Sequence, residues 1–195
     1  SIVAVGAGPS SGPADAIASF TPKLEAWEAS AAASGRPIGN IDDAADSSHL
    51  RLLMQRMNKD GWASETQDGS APAPLMGKRT KADGGRMHLS FSPFSQIVAD
   101  DHFAILFLFT PRGALETDVE MIWLVDGRAT EAEVDIEKMI WGYHATTTQD
   151  KVITENNQAG IMSSRYRPGR YSDQEGSVLN FQKWYLNQFG LARAE

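Results

Sequence analysis

The segment TTTQDKVITENNQAG, residues 146–160, holds the densest set of side chains in this sequence that could do chemistry. Asp150 stands among polar residues, with Glu155 five positions on and Gln158 eight positions on. A carboxylate in such a setting can ligate a cation. It can equally cap a helix, because aspartate is a favoured N-cap residue. Residue type leaves both readings open, and the cap is the simpler one. Other chemistry is narrowly bounded. The chain has no cysteine, which excludes disulfides, thiolate zinc sites, cysteine nucleophiles and any iron–sulfur cluster held by these residues. Its four histidines, His49, His88, His102 and His144, are separated by 39, 14 and 42 residues. No pair has the i, i+3 to i+5 spacing that sets two imidazoles on one helix face. G-x-S-x-G, H-E-x-x-H and Walker motifs are absent. GAGPSSG near the start is glycine-rich but follows no clear strand. His88 reads as a surface or pocket-wall residue, and His144 as a partly buried helical histidine.

The elements that must position these groups read as strands first and helices after. Residues 1–14 form a loose, glycine- and proline-rich lead-in. TPKLEAWEASAAASG predicts a helix with Thr21 as N-cap and Pro22 in the first turn. Leu24, Trp27 and Ala31 would share one face, and Gly35 would end the helix. HLRLLMQRM, residues 49–57, fits a strand or a short helix. Residues 58–85 carry five glycines and two prolines without periodicity, and a loop this long in a compact domain is usually functional or disordered. MHLSFS alternates Met87, Leu89 and Phe91 with polar residues. HFAILFLF fits a central strand with TPRG as the turn after it. DVEMIWLV puts Val119, Met121, Trp123 and Val125 on one face, so the three strands predict an antiparallel meander. The next helix has an apolar stripe through Ile136, Ile140 and Tyr143. It is expected to break around 142–148, where a glycine and three threonines weaken it, and to restart near Asp150. SDQE is a capping box, with Ser172 as N-cap and Glu175 reaching back. Val178, Phe181, Tyr185 and Phe189 then form one stripe, ended by Gly190. The predicted fold class is α+β: a curved antiparallel sheet packed against a long C-terminal helix.

Length and composition set the frame. The 195 residues suit one domain spanning 1–195, with 42% apolar and 22% charged residues. A net charge of −7 argues against nucleic acid as the main partner. Lys78, Arg79 and Lys81, and Arg165, Arg167 and Arg170, read as solvated loops. The apolar run near Phe103–Phe109 is too short to span a bilayer, and no signal peptide is visible, so no membrane partner and a cytoplasmic location are expected.

Three stretches together resemble the C-terminal part of the catalytic domain of Rieske-type non-haem iron oxygenases, the ring-hydroxylating α-subunit family. They are DGSAPAPLMG with KADGG (68–85), WGYHATTTQDKVITENNQAGIMSS (141–164) and RYRPGRYSDQEGSVLNFQKWYLNQF (165–189). The second matches a W…T-x-Q-D-x-x-x-x-E-x-x-Q-x-G pattern. The third matches Y-x-P-G-x-x-S-x-x-E followed by F-x-x-W-Y. The likeness covers roughly residues 60–190. It implies a helix-grip, START-like fold and a mononuclear Fe(II) held by two histidines and one carboxylate, with open positions for O₂. It further implies Asp150 as the carboxylate ligand, Trp141 as a pocket residue, and Gln149 and Gln158 as residues around the substrate or the ligands. The implied substrate is a quaternary ammonium compound or an aromatic acid. Electrons would come from a reductase or ferredoxin through a Rieske [2Fe–2S] cluster, and the family commonly forms trimers.

The departures carry equal weight. The cluster's C-x-H and C-x-x-H pairs and the iron-binding H-x-x-x-x-H segment are missing. In the family both would precede residue 1. The expectation is therefore an incomplete catalytic domain without its Rieske domain, carrying one iron ligand of three and inactive alone. Two other readings stand beside it. One is a metal-free helix-grip module binding a small apolar ligand in a cavity walled by Phe91, Phe103, Phe107, Trp123 and Trp141. The other is an inactive subunit of a larger assembly.

Overall fold

The structure, a computed structural model, describes residues 13–33, 35, 38–43, 50–56, 61–91, 94–172 and 175–191. GAGPSSG, most of the lead-in and His49 lie outside these residues. Six strands form one antiparallel sheet in chain order: β1 (Gly39–Asp43), β2 (Leu50–Arg56), β3 (Gly85–Phe91), β4 (Ser95–Ala99), β5 (Ala104–Gly113) and β6 (Glu116–Leu124). Among the described residues, three α-helices accompany the sheet, α1 (Pro13–Ala33) before it and α2 (Ile136–Ile161) and α3 (Gly176–Gln188) after it, with a short 3-10 turn at Glu131–Glu133 between β6 and α2. This is the α+β arrangement expected, an antiparallel sheet with a long helix from the C-terminal third packed on it.

The core explains which helix does the packing. Ile105 and Phe107 on β5 stand opposite Trp123 and Met121 on β6. Phe103, Ile105 and Met139 are fully enclosed, and Phe107, Met121, Trp123, Val125, Val134 and Tyr143 pack around them. The predicted face of DVEMIWLV is thus half-buried against the core for Met121, Trp123 and Val125, while Val119 lies beyond the helix cover and is exposed. The helix that covers the sheet is α2. On α3 the stripe Val178, Tyr185 and Phe189 is exposed, and Trp184 is buried instead.

Several boundaries differ from those predicted, each for a physical reason. α1 begins at Pro13, so Thr21 and Pro22 lie inside it rather than capping it. The alanine-rich turns before Pro22 favour helix strongly enough to continue through it. The expected face does form, with Trp27 and Ala31 buried and Leu24 beside them. Gly35 ends the helix with φ 75°, and its N–H donates to Ala32 O at 2.9 Å. Residues 50–56 form strand β2, and β1 and β4 add to the three strands predicted. β5 runs on through TPRG, and the turn falls at Ala114 and Leu115. Pro111 is accommodated because β4 pairing ends at Leu108 and the β5–β6 register shifts between Pro111 and Gly113.

α2 does not break. It runs unbroken from N-cap Asp135, which accepts from Lys138 N at 3.0 Å, to Ile161. Asp150 is therefore a mid-helix residue and not the cap of a second helix. Of the threonines that weaken the pattern, Thr147 Oγ1 lies against Met121 Sδ and Thr148 Oγ1 donates to His144 O at 2.8 Å, as Thr154 Oγ1 does to Asp150 O further along. Tertiary packing of the first half supplies what propensity lacks.

Candidate functional site

The long segment between β2 and β3 is built, not loose. Gly69 has φ 75° and a Cβ there would lie 2.5 Å from the Trp62 ring, so only glycine fits. Three consecutive residues at the β4–β5 corner hold different parts of this segment. Asp100 Oδ1 accepts from His102 N and Phe103 N, which closes the corner, and Oδ2 accepts from Ser64 Oγ and from Glu65 N. Asp101, fully buried, accepts from Asp83 N at 2.7 Å and Gly84 N at 2.9 Å and pairs with Arg79. Burial pushes its carboxyl up, while those N–H groups and Arg79 pull it down. His102 Nδ1 donates to Ala73 O at 2.9 Å.

The same segment grips the start of α2. Asp135 N donates to Pro72 O at 2.8 Å, and Lys138 Nζ donates to Ser70 Oγ at 2.7 Å. The Ser70 hydroxyl and N–H, with Lys138, hold Asp68 well below the usual carboxylate range. One turn further on, Glu65 meets α2 directly. Arg86 Nη1 donates to Glu65 Oε1 at 2.8 Å and Arg86 Nη2 to Tyr143 Oη at 2.7 Å, while Tyr143 Oη donates to Glu65 Oε2 at 2.8 Å. The ring closes on itself. Burial, then the nearby Glu65 and Asp100 carboxylates, push the Tyr143 hydroxyl far up, against the pull of Arg86. Val98, Asp100 and Phe103 close around this ring.

Helix geometry then places Asp150. At about 100° per residue, Met139, Tyr143, Thr147 and Asp150 form one stripe. Met139 is in the core, Tyr143 packs on Phe107 with centroids 5.9 Å apart, and Thr147 Oγ1 lies 3.4 Å from Met121 Sδ. Asp150 continues this sheet-facing line one step past the packed core and is exposed. Phe109, stacked on Phe107 at 6.4 Å, and its register partner Val119 continue the sheet in the same direction. Gln149 and Gln158 fall within about 100° of Asp150, both exposed. Trp141 falls about 180° from Asp150, with 44% of its surface exposed. The structure thus brings Gln149, Asp150 and Gln158 to one end of α2 and sets Trp141 on another side.

The aromatic residues expected to wall a cavity divide differently. Phe103, Phe107 and Trp123 belong to the core cluster, and Trp141 stands outside it. Histidine placement bears on iron. His102 is buried at the β4–β5 corner, and His144 falls about 120° around α2 from Asp150. Among the described residues no three of His, Cys, Asp or Glu come together as a metal-binding group. The described residues therefore do not complete an iron site.

A family model of the ring-hydroxylating α subunit, catalytic domain, matches residues 25–190. The chain belongs to that family. A glycine betaine monooxygenase oxygenase subunit of Pseudomonas aeruginosa (strain UCBPP-PA14) is 35% identical over 184 residues, covering 90% of this chain and 40% of that protein. One from Chromohalobacter salexigens is 38% identical over 130 residues, covering 65% of this chain and 29% of that protein. The chain thus spans 40% or less of the length of these relatives. In a ring-hydroxylating α subunit, non-haem iron and a Rieske cluster belong to the intact enzyme. No helix among the described residues is long and apolar enough to cross a membrane.

The Glu65–Arg86–Tyr143 ring and the Asp100–His102 corner escaped the sequence reading. The only signal was the acidic pair followed by histidine just ahead of an apolar strand, which marks a turn more readily than a site.

Proposed function

We propose that this chain is the substrate-side portion of a Rieske non-haem iron oxygenase that oxidatively removes a methyl group from a quaternary ammonium compound. The observation carrying this reading is the position of Asp150. It lies on the sheet-facing stripe of α2, immediately past the packed core, within the stretch that matches the family. Asp150 is the carboxylate of the iron site, the two histidines coming from outside the described residues. Gln149 and Gln158 flank it on either side of α2, within reach of the substrate or the ligands, whereas Trp141, on the opposite side of the helix, does not share the Asp150 face. The names of the relatives favour the quaternary ammonium substrate, and an aromatic face such as Phe109 suits a cation that offers no hydrogen bond. The overall reaction takes one O₂, two electrons from a reductase or ferredoxin, and two protons. One oxygen atom leaves as water and the other enters an N-methyl C–H bond; the resulting N-hydroxymethyl group then loses its hydroxyl proton as the C–N bond breaks, giving formaldehyde and the tertiary amine.

The chain by itself does not hold Fe(II) tightly and does not turn over. Metal analysis of the 195-residue chain, together with the coding sequence upstream of Ser1, tests this. We expect substoichiometric iron, and an upstream reading frame carrying the C-x-H, C-x-x-H and H-x-x-x-x-H segments. In the longer product, Asp150→Asn is expected to lower iron content and amine formation by about 100-fold or more, beyond the loss typical of residues that merely support a ligand. Stoichiometric, high-affinity Fe(II) in the isolated chain, or full iron loading of Asp150→Asn, would overturn the reading.

A further inference from the structure

We infer that Glu65, Arg86 and Tyr143 act as a positioning lock that sets the rotation of α2 on the sheet. Residues two turns along the helix, Asp150 foremost, thereby face the open end of β5 and β6. Glu65 meets three elements at once. Its N–H donates to Asp100 at the β4–β5 corner, and its carboxylate takes Arg86 of β3 and Tyr143 of α2. Its carbonyl lies 3.5 Å from where a side chain at Gly142 would begin, so the helix backbone passes close by. Apolar packing alone leaves rotation weakly fixed, because Met139, Ile140 and Tyr143 could each turn toward the sheet. A hydroxyl that must both accept from Arg86 and donate to Glu65 has one rotation that satisfies it, and no other hydroxyl on that stretch of α2 could take its place. Tyr143 and Asp150 are seven residues apart, about 10 Å along the axis and within about 20° of each other in rotation. Whatever fixes one fixes the other. The consequence for Asp150 rests on the oxygenase reading, but the lock itself does not.

The absence of cysteine makes a direct test simple. Glu120→Cys on β6 and Glu155→Cys on α2, both exposed positions, give two unique sites for nitroxide labels in the full 195-residue chain. Pulsed dipolar spectroscopy then reads the distance between sheet and distal helix. The parent chain is expected to give one narrow distribution. Tyr143→Phe keeps the ring and loses the hydroxyl, and Glu65→Gln keeps the shape and loses the charge. Each is expected to broaden the distribution about twofold or to shift it by up to about 8 Å, the displacement produced when a helix rolls by one residue. Arg128→Ala in the same doubly labelled chain, removing a cation outside the ring, should leave the distribution as in the parent. A distribution unchanged by both Tyr143→Phe and Glu65→Gln overturns the lock. Should Tyr143→Phe fail to melt cooperatively, Glu65→Gln and Arg86→Lys decide the matter in the same assay. The measurement needs neither iron nor turnover, so its failure would leave the oxygenase reading intact, and failure of the iron test would leave the lock intact.

Discussion

The two halves of α2 share one helical backbone and almost nothing else. Residues 136–147 lie on the sheet: Met139 is enclosed, Tyr143 is bonded to Glu65 and Arg86, and Thr147 touches Met121. Residues 148–161 are exposed at every position, apolar ones included, with Val152 at 56% and Ile153 at 60%. The residues proposed to do chemistry sit in the exposed half, and those that decide its direction sit in the buried half. A helix is stiff over this length, so a site can be placed well by anchoring one end and leaving the other free for ligands. The cost is that the distal half gains stability only through the anchor.

The largest test of this division is Met139→Ala. Alanine is the better helix former, so any loss measures packing alone. Urea denaturation is expected to show a loss of about 2–5 kcal/mol, the range for emptying a methionine-sized space in a core. A loss below about 1 kcal/mol would mean that the first half of α2 is not the anchor.

Alkaline stability probes the lock next. Burial of Tyr143, with Glu65 and Asp100 nearby, holds its hydroxyl protonated in the folded chain, with Arg86 the one opposing cation. The unfolded chain ionises that tyrosine near its ordinary value of about 10. A group whose folded value is raised contributes stability that is complete below the unfolded value and is lost as pH rises beyond it. Stability should therefore fall between roughly pH 8 and roughly pH 11, either side of that ordinary value. Tyr143→Phe should be weaker at the lower pH and show a shallower fall, because the ionisable group is gone. Parallel falls for parent and variant, measured in urea at both pH values, would mean that the alkaline loss has another source.

How much of this was legible beforehand depends on the range of the interactions involved. β5 and β6 announce themselves because each residue's neighbours lie in the same short run, and alternation or an unbroken apolar stretch records burial directly. β1, GNIDD, has one large apolar residue, and β4 has five residues bordered by a turn, so neither leaves a pattern of its own. The break expected in α2 came from local propensity at Gly142 and the threonines. It fails because packing of Met139 and Tyr143 on the sheet holds this stretch in the helix, while Thr147 touches Met121 and Thr148 bonds back to His144. Asp150 was singled out by its neighbours in sequence and by family likeness. Its relation to Tyr143 needed an unbroken helix to be known first. Glu65 was beyond reach, since its partners stand 21 and 78 residues away and its own surroundings carry no periodicity.

The smallest expected effect is also the sharpest check on the exposed half. Ile153→Ser exchanges a large apolar residue for a polar one of similar helix propensity, so backbone preference contributes little. If residues 148–161 stand in water, nothing packs on Ile153 to be lost, and stability should change by less than about 0.5 kcal/mol. Removal of an exposed apolar group should, if anything, raise solubility. A loss above about 1 kcal/mol would show that this face is covered in solution. If that cover is a second copy, the loss would grow with protein concentration, and light scattering on parent and variant would show the parent as the larger species. A loss independent of concentration would instead place the cover within the chain itself. In either case the contrast between the halves of α2 would become one of degree, and Asp150 would sit in a more enclosed place than its exposure indicates.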